Sequence, residues 1–325
     1  MIHISALDAA IKAKKFQQKD FNQITFDLDK RIPTQLQILN EGNFGLVLFG
    51  TTPANEKVAI KVYHEQDASR ENIYKGLSKY LNLFSNKYFV PAFYYNDGIE
   101  IAGKIYPALK MRFVEGKSLG YHIQTLLHSQ NKDGLGAITK EVIKLAENLH
   151  KNGIAHRDIH SSNIKVNPDG SLTLIDYDDV WVNGHVEIES PTKGNREYQH
   201  PIRMQQSNFR GDYFDNFGFG LIYIQLQLFI STLEHHKDRQ IDDSLLFSAN
   251  DFQNLDRSKE IVWYAKGTKT ANWMAILIND LICSKNLAAI PPLTQQEYNK
   301  RFVSYAHKDW KRKDEFYCPK EKLFF

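Results

Sequence analysis

The amino-acid sequence predicts an α+β fold, with strands gathered early in the chain and helices dominating later. Two patterns carry that reading. Between residues 35 and 114, short runs with period-two apolar alternation are separated by turns bearing glycine and proline. After residue 115 the apolar positions shift to helical spacing, as in Ile138, Val142, Leu145 and Leu149. At 325 residues the chain can bury a full core, as one two-lobed domain or two small ones.

Residues 5–20 read as a modest amphipathic helix, with Leu7, Ala10, Ile11 and Ala13 apolar and Ser5 as its N-cap. It is expected to pack on the strands that follow, and Pro33 ends its pattern. Over residues 35–63 three strands are expected. Gln35–Leu39 alternates, Gly42-Asn43-Phe44-Gly45 turns, Leu46–Phe49 is apolar, and Lys57–Tyr63 alternates again. Residues 67–84 form a helix with Ile73, Leu77, Tyr80, Leu81 and Phe84 on one side. Val90–Tyr95 and Ile105–Val114 are two more strands. A helix over 136–151 ends near Gly153. The run Gly218–Ile230 is a buried helix, shorter than the about 20 residues a bilayer requires. The charged stretch 231–260 reads as a loop or insert. Ile276–Cys283 and Tyr298–Trp310 suggest further helices, and the tail with Phe316, Tyr317, Phe324 and Phe325 is expected to pack on the domain.

The chemistry concentrates in His156-Arg157-Asp158-Ile159-His160-Ser161-Ser162-Asn163, followed by Leu174-Ile175-Asp176. Asn167-Pro168-Asp169-Gly170 between them is a turn. The segment therefore reads loop, strand, turn, strand, loop, with three oxygen-bearing side chains at its loop ends. Mg²⁺ takes such ligands, as one or two carboxylates together with substrate phosphates.

These residues resemble the catalytic and metal-binding loops of the protein kinase superfamily, His-Arg-Asp-x-x-x-x-Asn and then Asp-Phe-Gly. The rest of the chain supplies the other motifs in order, from about residue 35 to residue 230. Asn40-Glu41-Gly42-Asn43-Phe44-Gly45-Leu46-Val47 resembles the glycine-rich loop, with Asn40 in place of its first glycine. Val58-Ala59-Ile60-Lys61 matches the strand that carries the phosphate-binding lysine. Gly194–Pro201 resembles the end of the activation segment, with Ile202 where a Glu is usual. Asp215–Gly220 resembles the start of the central helix, whose Asp holds the catalytic loop.

The resemblance implies a bilobal α+β fold, with a small antiparallel-sheet N-lobe carrying one helix and a mainly helical C-lobe. Its boundaries here are an N-terminal helical extension over 1–33, an N-lobe over 34–114, and a C-lobe over 115–325 that diverges after about 231. It implies a catalytic set of Asp158, Lys61, Asn163, Asp176 and His160, with Asn163 and Asp176 as Mg²⁺ ligands. For ATP it implies Gly42, Phe44, Gly45, Val47, Ala59, Lys61, Met111, Lys165 and the backbone of Arg112 and Val114. Glu71 is the expected partner of Lys61 on the first long helix, although Lys75 stands four residues on where an apolar residue is usual; Glu65, close to the strand end, is the other candidate. Glu115–Leu119 would be the hinge and the cap of the next helix. Lys165 stands where Leu is usual beneath the adenine, its stem covering the ring and its ammonium reaching solvent. Arg157 would bind a phosphate on the activation segment, with Ser190 and Thr192 as candidate acceptors.

The expected activity is that of a divergent, eukaryotic-like Ser/Thr protein kinase that uses ATP and Mg²⁺ on proteins, itself included. His160, and Asp176-Tyr177-Asp178 in place of Asp-Phe-Gly, resemble the aminoglycoside and choline phosphotransferases, so a small-molecule kinase is the alternative. A nucleotide-binding pseudokinase is a third reading, opposed by the retention of Lys61, Asp158, Asn163 and Asp176. The net charge of +3 gives no argument for a nucleic-acid partner. Cys283 and Cys318 form no metal-ligand spacing and suit a reducing compartment, and the N-terminus lacks a secretory pattern. The expectation is a cytoplasmic protein with ATP and a protein substrate as partners and no membrane; the sequence does not set its oligomeric state.

Overall fold

The computed structural model describes residues 1–30, 36–42, 44–84, 86–190, 192–205, 211–242, 244–253, 258–265, 281–282, 284 and 286–295. The expectations for Pro33, Asn43, Tyr298–Trp310 and the aromatic tail lie outside these residues, as does most of 276–283. The fold is α+β, and the chain divides into two units, Met1–Glu115 and Gly116–Phe325.

The first unit is built on a six-stranded antiparallel sheet, order β1-β3-β4-β6-β5 with β2 on β3. Its strands are β1 (Thr25–Phe26), β2 (Ile38–Gly42), β3 (Gly45–Thr51), β4 (Lys57–Tyr63), β5 (Ala92–Ile101) and β6 (Lys104–Arg112). The period-two alternation of β4 sends Val58, Ile60 and Val62 to one face and Ala59 and Lys61 to the other. The first face packs against the start of the chain. There α1 (Ile4–Lys12) contributes Leu7 and Ala10, and Phe16, Phe21 and Ile24 complete the layer. The helix is shorter than expected and Ser5 is not its cap; His3 holds that position, and Lys14 leaves the helix at φ 55°. β1 was not legible in the sequence because two residues carry no period. It forms by pairing Thr25 with Thr51 and Phe26 with Gly50. The long helix α2 (Ala68–Phe84) is capped by Asp67, whose Oδ1 accepts from Ser69 N at 2.8 Å. β5 runs longer than expected, up to a tight hairpin turn at Ala102 (φ 50°) and Gly103 (φ 80°), and β6 starts one residue earlier and ends two residues sooner.

The second unit begins with β7 (Lys117–Ser118) and α3 (Leu119–His128). Ser118 is the expected cap, its Oγ accepting from Tyr121 N at 3.2 Å. α4 (Lys132–Lys151) starts earlier than the apolar pattern suggested, because Asn131 caps it. β8 (Ile154–Ala155) follows, then β9 (Ile164–Val166), β10 (Leu172–Leu174) and β11 (Trp181–Val182). After the short α5 (Pro201–Gln205) comes α6 (Asp215–Ser231), buried almost throughout as its apolar run predicts. Gln225 lies inside it without penalty, since its Oε1 accepts from Leu246 N and Phe247 N at 2.8 and 2.9 Å. The charged stretch after residue 231 holds a 3₁₀ turn, Leu233–His236, and α7 (Ala249–Gln253), with α8 (Lys259–Ala265) beyond it. Among the described residues no helix is long and apolar enough to cross a membrane.

Candidate active site

In the second unit the hairpin β9–β10 decides the geometry. Register pairs Ile164 with Leu174, and Asn167–Gly170 closes the turn, with Gly170 at φ 82°. One step beyond that register, Ile175 N donates to Asn163 O at 3.0 Å. Asn163 and the residue next to Ile175, Asp176, therefore meet at the open end of the hairpin. Asn163 Nδ2 donates to Asp158 O (3.0 Å) and to Asp158 Oδ2 (3.3 Å). Asp158 Oδ1 accepts from Asn195 N at 2.7 Å. Its carboxylate is thus held from two sides.

His160 Nδ1 accepts from Ser162 N at 3.3 Å, which leaves the ring proton on Nε2, 3.7 Å from Asp158 Oδ2. The loop is anchored from below by Asp215, the first residue of α6. Its carboxylate accepts from His156 N at 2.5 Å and from Arg157 N at 2.8 Å, the role the resemblance implied. His156 Nε2 donates to Ile175 O at 2.9 Å and so ties the Asp158 loop to the Asp176 loop. Tyr177 is fully buried, with its hydroxyl on Leu174 O at 2.8 Å.

The amide nitrogen of Asn163 serves Asp158, which leaves Oδ1 as an oxygen of the kind a hard cation takes, at the hairpin end that also bears Asp176. Among the described residues no three His, Cys, Asp or Glu side chains gather into a metal cluster. Two protein oxygens are the pattern of an Mg²⁺ whose other ligands are phosphate and water.

In the first unit, register places Val47 opposite Lys61 and Lys61 opposite Leu109, while Ala59 pairs with Phe49 and Met111. Val47, Ala59, Lys61 and Met111 therefore share the sheet face opposite the N-terminal layer. Gly42 pairs with Gly45 across the turn that carries Phe44. At Gly45 a Cβ would lie 2.3 Å from Val62 O, so only glycine lets β3 and β4 approach there. Phe44 is exposed, with the Arg70 guanidinium 5.7 Å from its ring. Arg112 N donates to Pro91 O at 3.4 Å, so of its backbone groups only the carbonyl is left for a ligand. Val114 follows β6 and is half-buried.

One expectation is corrected. Glu71 pairs with Lys75 at 2.5 Å and accepts from Asn96, and these two contacts lower its carboxyl. Lys75 sits one turn along α2, where i,i+4 partners meet, and takes the carboxylate expected to face Lys61. Lys61 Nζ lies 5.1 Å from the centroid of Tyr63. The Lys165 side chain is half-buried, and desolvation pushes its ammonium below the usual value.

Three residues that the sequence did not single out also hold this loop. Arg203 Nη1 and Gln199 Nε2 both donate to Arg157 O, the latter at 3.2 Å. Asp179 lies 3.5 Å from Arg157 Nη1. Arg157 is fully buried against Trp181 and Phe214. It is therefore engaged within the chain rather than open to a segment phosphate.

A family model described as the protein kinase domain matches residues 34–288. Protein kinase C-like 2 of Schizosaccharomyces pombe is 28% identical over 253 residues, 75% of this chain and 23% of that protein. Protein kinase C-like 1 of Saccharomyces cerevisiae is 25% identical over 245 residues, 72% of this chain and 20% of that protein. Serine/threonine-protein kinase STE20 of Debaryomyces hansenii is 27% identical over 117 residues, 36% of this chain and 11% of that protein. The chain thus spans less than a quarter of the length of these relatives.

Proposed function

The chain belongs to the protein kinase domain family, and from that premise we propose that it is an ATP- and Mg²⁺-dependent phosphotransferase acting on Ser and Thr hydroxyls of proteins, itself included. The observation that carries this reading is the Asp158 carboxylate, fixed by Asn163 and Asn195 N beside the hairpin end that bears Asp176. Phosphoryl transfer depends on positioning and charge neutralisation more than on covalent chemistry. Asp158 orients the acceptor hydroxyl and takes its proton. Asn163 Oδ1 and the Asp176 carboxylate hold Mg²⁺, which when bound neutralises phosphate charge. His160 Nε2–H adds a hydrogen bond near the transferring group. Lys61 binds phosphate oxygens, and Val47, Ala59 and Met111 supply an apolar surface for the base.

The test incubates purified protein with labelled ATP and Mg²⁺, beside Asp158→Ala and Asp176→Ala. Label on protein in the wild type alone supports the proposal. The acid in Asp176-Tyr177-Asp178 and the imidazole of His160 favour a second reading, a small-molecule kinase. ATP consumption that requires an added aminoglycoside or choline would establish that reading instead. Nucleotide binding without transfer, unchanged in Asp158→Ala, would reduce the protein to a binding module.

A further inference from the structure

A buried charge cluster adjoins Asp158, and its core members lie outside the residues named for phosphoryl transfer. Arg203 and Asp179 are 2% and 3% exposed. Arg203 Nη1 donates to Arg157 O and to Gln199 Oε1, and Nη2 to Asp179 Oδ2 (3.2 Å) and Ser190 Oγ (3.0 Å). The Arg157 guanidinium meets the same Asp179 and donates to Ile188 O at 2.8 Å. Asp179 is thus the shared counter-charge of two buried guanidiniums, each costly if left unpaired. Arg157 itself has φ 66°, a conformation that persists in a non-glycine residue only where its surroundings over-determine it. They do so from both sides: Asp215 takes its N–H, while Arg203 and Gln199 take its C=O. The next residue in the chain is Asp158.

Ser190 and Thr192 hydroxyls both donate to Asp179 Oδ2. A phosphate on either would set about two negative charges against that buried carboxylate.

We propose that Arg203 and Asp179 are positioning residues for Asp158, and that their cluster is complete only while Ser190 and Thr192 are unmodified, so that phosphorylation there lowers transfer. The proposal rests on the phosphotransferase reading above, and its test separates the two. Full-length wild type, Asp179→Asn, Arg203→Gln, Arg203→Lys and Ser190→Asp are assayed with ATP, Mg²⁺ and casein, and amide hydrogen exchange is followed at residues 156–158.

Asp179→Asn, Arg203→Gln and Ser190→Asp are expected to lose about tenfold or more in kcat with KM for ATP little changed, the mark of a misplaced group rather than a lost binding contact. Arg203→Lys recovers part of the loss, and the exchange of the 156–158 amides quickens in the impaired variants. Wild type stripped by phosphatase keeps its full rate. Wild-type kcat and exchange in Asp179→Asn and Arg203→Gln would overturn the proposal, as would activity that disappears on phosphatase treatment and returns with phosphate on Ser190 or Thr192. If wild type transfers nothing, the function reading fails and the exchange measurement alone decides whether Arg203 and Asp179 hold the loop.

Discussion

Gly194 carries φ 67°, and a Cβ there would lie 3.0 Å from both Arg157 O and Asp158 Oδ1. Gly194→Ala is expected to strain the backbone by about 1 kcal/mol or more and to push Asp158 off its position, so that kcat falls further than the melting temperature. A variant with normal kcat would show that Asp158 tolerates displacement. Asp215→Asn tests the support beneath. The Asp215 carboxylate is buried and accepts two backbone amides, and an amide side chain turns one N–H against an N–H. A loss of roughly 2–4 kcal/mol in denaturant unfolding is expected, and an unchanged midpoint would remove Asp215 from this role. These residues were legible because each belongs to a motif in which side-chain type and spacing are set by the site. Glu71 was misread because its choice between Lys61 and Lys75 is a matter of side-chain reach that the sequence order does not encode. Arg203 was invisible because one arginine in a five-residue helix forms no pattern.

The N-terminal segment shows what packing adds at the level of elements. Residues 15–17 run along β5, with Glu100 N donating to Lys15 O at 3.0 Å and Gln17 N to Gly98 O at 2.9 Å. They continue into Phe21, whose ring meets Phe16 and Tyr95 edge-on at 5.3 and 5.2 Å. Leu7 and Phe21 are fully buried against the face formed by Leu46, Leu48, Ile60 and Val62. Leu7→Ala and Phe21→Ala should each cost about 2–5 kcal/mol in chemical denaturation, the range for truncating a fully buried side chain. A cost below about 1 kcal/mol would mean that the segment only rests on the sheet. The strands and long helices were legible from period and glycine turns. The length of β5 was not, because its register shifts between Tyr95 and Ile99, where Asn96-Asp97-Gly98 looks like a strand end.

For the molecule as a whole, buried titratable groups predict how stability varies with pH. His200 donates from Nε2 to Ile282 O (3.0 Å) and accepts at Nδ1 from Ile202 N (3.1 Å), so a second ring proton would face a donor. Burial pushes its imidazole down to about 4. His236, bonded to the Tyr264 hydroxyl, is pushed down to about 4 by burial and then by the nearby Arg239 and His235. Both histidines bind protons more readily when unfolded, so the stability they give is present above pH about 6.5 and is lost as pH falls toward 4. Asp179 works the other way. Burial outweighs its two guanidiniums and pushes its carboxyl up to about 6, so it takes up a proton in the folded chain first and returns stability as pH falls through that value. Between pH 7 and 5 linkage gives a loss of roughly 2 kcal/mol for each histidine and a gain of roughly 1 kcal/mol for Asp179, a net loss of about 2–3 kcal/mol. Unfolding midpoints should therefore fall across this range. His236→Gln, which carries no titrating ring, should flatten the decline by about two-thirds or more, whereas Asp179→Asn should steepen it. Midpoints that stay level from pH 7 to 5 in the wild type would show that these histidines reach water in the folded protein, and equal slopes in wild type and His236→Gln would clear His236 of any part in the decline.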